Sequence, residues 1–116
     1  MLSTAAWAEW AQVARSSRGV YYLDEQSIRD TPKGRMAFQL LDLKAPDQEG
    51  YRSYTFLYEY ECERGRIRFV RSESFEGHMG EGRSTVDNEP LLYFTTPKTG
   101  TVEAKIARRV CGAATP

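Results

Sequence analysis

The residues best suited to chemistry here are one histidine, a run of glutamates, a stripe of arginines and two cysteines. Gly77-His78-Met79-Gly80-Glu81-Gly82 has the glycine content of a phosphate cradle. Such a cradle needs a preceding strand and a helix N-terminus aimed at the phosphate, and a polar loop follows instead. His78 has the chemistry of a general base or an iron ligand, and Met79 beside it could also face haem. Hydrolase patterns such as G-x-S-x-G are absent, and an exposed loop histidine asks for nothing further. Glu59, Glu61 and Glu63 could supply the paired carboxylates of glycosidase chemistry, since same-face neighbours two apart lie near the required separation. Arg64, Arg66, Arg68 and Arg71, interleaved with Ile67 and Phe69, form a basic stripe that could hold a polyanion. One histidine and two cysteines are too few for a four-coordinate zinc site, so no metal or cofactor is expected.

The elements that position these groups settle most of the choices. From Tyr51 to Cys62, Tyr54, Phe56, Tyr58, Tyr60 and Cys62 share one parity, and Ser53, Thr55, Glu59 and Glu61 the other. This is a half-buried strand of period two. Arg66 to Phe75 answers it. If Cys62-Glu63-Arg64-Gly65 is a four-residue hairpin loop, Glu61 faces Arg66, Glu59 faces Arg68, Tyr60 faces Ile67 and Tyr58 faces Phe69. Both faces then make chemical sense together, and Gly65 suits a left-handed loop end. A three-residue loop would set Glu61 against Ile67. Arginine partners keep the glutamates ionised, which argues for a salt-bridge ladder and against an acid catalyst. The same glutamates cancel most of the field of the basic stripe.

The remaining elements are simpler. Trp10 to Ala14 and Val20 to Leu23 read as strands around a polar turn ending at Gly19. Asp24 caps a single helical turn through Ser27. Arg35 to Lys44 is a strand whose apolar parity switches after Leu40. Either a bulge near Leu40 or burial on both faces explains the switch. Gly77 to Asn88 reads as a long loop, and Leu91 to Phe94 as a short apolar strand. Thr101 to Cys111 is a helix, with Val102, Ile106 and Val110 on one stripe, Glu103 in its first turn and arginines in its last. The fold class is α+β: an antiparallel meander of five to six strands with a C-terminal helix packed on one face.

The chain has 116 residues, enough for one domain. Sixteen basic and sixteen acidic residues cancel, so no strong field draws nucleic acid or an anionic membrane. Ala6-Trp7-Ala8 fits the small-x-small pattern of signal peptidase, so residues 1–8 read as the end of a leader and 9–116 as the domain. The alternative is a first strand beginning at Trp7. An even cysteine count in a small exported domain reads as a Cys62–Cys111 bridge, and two buried free thiols are the alternative. Seven tyrosines are many for this length; some must be core, and tyrosine also favours protein-binding faces. Tyr51 and Tyr54, with Arg64, Arg66, Arg68 and Arg71, form the expected binding surface.

In their order, several segments resemble one family. They are Val20-Tyr21-Tyr22-Leu23-Asp24 with Ser27-Ile28-Arg29, and Tyr51-Arg52-Ser53 with Glu59-Tyr60-Glu61-Cys62 and Arg66-Ile67-Arg68. The glycine loop Gly77–Gly82 and the stretch from Pro97 to Cys111 complete the set. The chain is similar to the surface-adhesin protein E-like group of small exported bacterial proteins. The resemblance implies an antiparallel sheet, a C-terminal helix and a disulfide. For the namesake of the group it implies adhesion to host extracellular-matrix proteins, and haem binding is associated with that member. The expectation is a non-enzymatic binding module in the periplasm or on the cell surface. It would recognise a host-matrix or envelope protein, with self-pairing as a homodimer also open. A carrier of haem or lipid is the alternative.

Overall fold

The hairpin forms in the register that the charge pattern predicts. The computed structural model of the chain describes residues 9–113. Its strands are β1 (Trp10–Arg15), β2 (Gly19–Asp24), β3 (Arg29–Thr31), β4 (Gly34–Leu43), β5 (Ser53–Glu61), β6 (Arg66–Phe75) and β7 (Ser84–Asp87), followed by helix α1 (Val102–Gly112). Glu61 pairs with Arg66, Tyr60 with Ile67, Glu59 with Arg68 and Tyr58 with Phe69. Gly65 closes the loop at φ 64°, in the left-handed region where a side chain is unfavourable.

Antiparallel pairing runs β1-β2-β4-β5-β6-β7, and β3 also pairs with β4. The sheet is thus six strands wide, because β3 carries on the line of β2 along the same edge of β4. A 3₁₀ turn, Glu25–Ser27, interrupts that line, capped by Asp24 as its sequence predicts. The break would leave Phe38 N–H of β4 unpaired. Ser27 Oγ accepts its hydrogen bond at 2.9 Å while donating to Asp24 O at 2.6 Å. Ile28, at the exit of the turn, is fully buried and plugs the gap.

β4 pairs continuously with β5 from Arg35 to Asp42, without a bulge. Leu40 and Leu41 point to opposite faces and are 1% and 2% exposed. Burial on both faces therefore explains the switch of parity. The glycine-rich stretch is more ordered than a long loop. It holds a 3₁₀ turn, His78–Gly80, and the fully solvent-facing strand β7. β7 was hidden because none of its side chains is buried, so it has no apolar alternation. Leu91 to Phe94, conversely, is not a strand. Leu91 N donates to Phe69 O at 3.0 Å, and Thr95 and Ile67 exchange backbone hydrogen bonds at 2.8 Å. Between those anchors β6 supplies one residue and the outer segment three, so the extra residues are expelled from the ladder. Residues 1–8, with the expected leader end and the alternative strand start at Trp7, lie outside the described residues.

α1 lies on the face shared by Ala37 and Tyr60. Val13, Leu23, Ile28, Ala37, Tyr60, Ile67, Ile106 and Val110 form the core. Thr101 caps the helix by accepting from Ala104 N. Its last turn is fastened to the sheet, and Arg109 Nε donates to Glu25 Oε2 at 2.8 Å. Cys111 is bonded to Cys62 at the end of β5, and Arg35 donates to the carbonyls of Val110 and Ala113. The charged guanidinium satisfies acceptors that the helix itself leaves unpaired.

The bridge spans 49 residues, and the chain-entropy relation gives it about 4 kcal/mol of stabilisation. The C62S/C111S variant should therefore unfold at lower urea, with a loss near that size. Thiol titration of the denatured wild-type chain without reductant should find no free thiol.

Candidate interaction surface

β5 distributes its side chains to two different surfaces. On the helix side, Tyr54, Phe56, Tyr58 and Tyr60 form a continuous row, which Tyr51, just before the strand, extends through its contact with Tyr54. Neighbouring ring centroids lie 5.9–6.3 Å apart, and the Tyr54 and Phe56 planes are within 5° of parallel. Tyr58 also meets Phe69 edge-on at 6.1 Å. Tyr60 is buried under α1 and accepts from the Gln39 amide; burial drives its hydroxyl well above the usual phenol range despite that bond. Burial, with a smaller contribution from Glu103, raises Tyr58 too. These phenols stay neutral and serve as packing. Beyond the helix, Tyr54 donates to Asp47, and Tyr51 Oη lies 2.9 Å from Thr85 Oγ1.

The opposite side carries the charged ladder. Arg66 Nε donates to Glu61 Oε1 at 2.6 Å, and Arg68 Nη2 to Glu59 Oε1 at 2.7 Å. Arg68 also donates through Nη1 to Leu91 O at 2.7 Å, which ties the ladder to the outer segment. Phe94 turns inward over it: Lys33 Nζ, Arg66 Cζ and Arg68 Cζ lie 5.7, 5.9 and 5.6 Å from its ring centre. Val70 is an extra residue in β6, a bulge opposite the Leu57–Tyr58 step. It returns Arg71 to the face of Arg66 and Arg68, where Arg71 lies 3.9 Å from Glu73.

The expected binding residues therefore divide. Arg66, Arg68 and Arg71 share one face, and Arg64 stands exposed at the hairpin tip. Tyr51 and Tyr54 belong to the aromatic row on the other face. A strand's alternation forbids Tyr54 and the Glu59 partner Arg68 from meeting on one surface. Reading by sequence proximity missed two participants, Lys33 and Phe94. Lys33 was visible only as a turn residue, and Phe94 only as part of an apolar run.

Burial opposes the charge on Glu59. Hydrogen bonds from Arg68 and Thr31, with the charges of Arg68 and Lys33, outweigh it and hold the carboxyl below the ordinary range. The hydrogen bond from Arg66 is the main cause of a similar lowering at Glu61. Both stay carboxylates at neutral pH, which suits a ladder and not proton donation to a leaving group.

The glycine loop is equally committed. Met79 N donates to Asp42 Oδ1 at 2.8 Å, Gly80 N to Ser53 Oγ at 2.9 Å, Gly77 N to Glu81 O at 2.9 Å and Glu81 N to His78 O at 3.2 Å. Donors a phosphate would need are thus spent on the protein. His78 Nδ1 is 3.1 Å from Asp42 Oδ1, with its side chain half exposed.

Because Glu59 takes up its proton more readily in the unfolded chain, its contribution to stability is full above the ordinary value of 4.5. That contribution is lost as pH falls through the lower folded value. E59Q should destabilise the fold by about 1–3 kcal/mol at pH 7. The gap between E59Q and wild type should shrink on acidification below that range. Urea unfolding across pH checks this, and a gap unchanged by pH would refute it.

Comparison with known proteins places this geometry. The family described as surface-adhesin protein E matches residues 10–112. The sequence matches no curated protein. Among solved structures, crystal form II of Haemophilus influenzae protein E is similar at a TM-score of 0.64 and 18% identity, covering 85% of this chain and 90% of that one. Protein E from non-typeable Haemophilus influenzae is similar at a TM-score of 0.66 and 16% identity, covering 89% of this chain and 75% of that one. At such identities the structures speak for the fold, and the family match spans nearly the whole domain: the chain belongs to the surface-adhesin protein E family.

Proposed function

We propose that this chain is an exported, non-enzymatic module that binds another protein, at the cell surface or in the periplasm, through the rim of its sheet beside β7. The observation that carries this reading is the exposure of that rim. Leu92 is 91% exposed, Tyr93 61%, Val86 49% and Leu91 45%. Several large apolar side chains left in water along one segment mark an interaction site. In a family described as surface adhesins, that use is recognition. Tyr93 supplies an aromatic anchor of the kind interfaces favour. Val86 lies on an edge strand, whose outer backbone groups can accept another strand.

A haem or lipid carrier draws less support. Leu23, Ile28, Ala37, Tyr60, Ile106 and Val110 fill the space between sheet and helix, each at most 1% exposed. A cavity of about 320 Å³ opens elsewhere, lined by Glu9, Trp10, Ala11, Glu25 and Gln26, and two of these are acids. Among the described residues no helix is long and apolar enough to cross a membrane.

The test is capture. The disulfide-intact domain is immobilised and exposed to envelope extract and, separately, to purified extracellular-matrix proteins. Wild type should retain a defined partner, and L92D/Y93D should lose it while keeping the wild-type melting temperature. Equal capture by both would remove the rim from the interface. Retention of nothing except further copies of the chain would replace the proposed partner with self-association.

A further inference from the structure

Resting on the protein-binding reading, we propose that Lys33, Arg64, Arg66 and Arg68, with Phe94 as a floor, form the docking site for an acidic segment of the partner. Three cationic heads stand within 6 Å of one ring. Like charges gathered this closely repel unless anions are interleaved. Glu59 and Glu61 interleave only in part, because each is the hydrogen-bonded partner of one arginine. Among the described residues Lys33 and Arg64 have no salt bridge within 4.0 Å. Both nevertheless lie close enough to Glu61 to bear on its carboxyl. A third acid, Glu63, stands at the exposed hairpin tip, which leaves four of these cations against three of these acids.

The surface is also preorganised. Arg68 is fixed at both ends, by Glu59 on one nitrogen and Leu91 O on the other. Arg66 is held by Glu61, and Phe94 is half-buried between the two and Lys33. A ligand here meets guanidinium groups already ordered, so little side-chain freedom is lost on binding. The Arg68–Leu91 bond makes the patch continuous with the apolar rim at Leu91, Leu92 and Tyr93. Carboxylates over Lys33 and Arg64 and apolar groups against Phe94 and the rim describe an acidic peptide with interspersed hydrophobic residues. A sulfated sugar would satisfy the charges and leave the rim in water.

The probe is a six-residue peptide of four glutamates, one leucine and one tyrosine, titrated into the full ¹⁵N-labelled chain at low and high salt. Amide shifts should centre on Lys33, Arg64, Arg66, Arg68 and Phe94 and shrink at high salt. K33E/R64E should weaken binding by about tenfold or more. K105E/R108E makes the same charge change at exposed positions on α1 and should leave binding unchanged. Shifts centred elsewhere, or equal weakening by both double variants, would overturn the site. So would binding of a heparin fragment to these residues without binding of the peptide. The titration needs no native partner, so its failure is separable from a failure of capture. If capture survives K33E/R64E, the protein-binding reading stands and this site falls; if wild type captures nothing, that reading itself falls.

Discussion

Nine residues of β5 meet β6 in a register that a one-residue slip would destroy. A slip would bring Glu59 and Glu61 opposite apolar side chains and the ring of Tyr60 opposite a guanidinium. It would also strand carboxylates in a half-buried strand without partners, where each costs far more than an exposed pair contributes. The register is therefore fixed twice, by burial on one face and by charge pairing on the other. The disulfide closes the same end of β5, where Cys62 meets the last turn of α1. The cluster around Phe94 depends on the register, because both arginines must emerge on the face that the helix leaves open.

The bulge at Val70 refines the same constraint. In an unbroken strand Arg71 would fall on the parity opposite Arg66 and Arg68. One extra residue turns it back to their face, and sends Ser72 and Ser74 to the side of Phe56 and Tyr54. The aromatic row is thus bordered by small hydroxyls, whereas the charged face continues along the strand. Nothing in the composition of β6 announces the bulge. Two regular halves of a strand differ in phase, and the offset becomes visible only against a fixed partner.

What was legible follows from where each residue's constraint comes from. Local constraints could be read directly: the period of β5, Asp24 and Thr101 as caps, Gly65 as a left-handed residue, the apolar stripe of α1. The hairpin register could be read because two neighbouring segments carry complementary charge. The outer segment could not. Leu91-Leu92-Tyr93-Phe94 has the composition of a strand, but Pro90 lacks a backbone donor, and its two anchors on β6 are too close together to accommodate the residues between them. The polar Ser84–Asp87 has the composition of a loop, yet the open edge of β6 pairs with it. In both cases tertiary context overrides propensity, as it commonly does at a sheet edge. The same override hid the candidate site: Lys33, Arg66 and Phe94 come from three separate segments, and no spacing rule links them.

The two broken lines of the sheet show what distinguishes a structural irregularity from a functional one. Where β2 gives way to β3, the interruption is repaired: Ser27 supplies the missing acceptor and Ile28 fills the space with a side chain wholly out of water. Where the strand beside β6 breaks after β7, one repair is present, the Arg68 bond to Leu91 O, but the apolar side chains are left outside. Polar groups unsatisfied by the break would cost stability at once, so their repair is required for folding. Exposed leucine and tyrosine cost much less in a small domain with a disulfide to stabilise it. The fold can therefore hold that segment's backbone while leaving its side chains free, which is the condition a recognition surface needs.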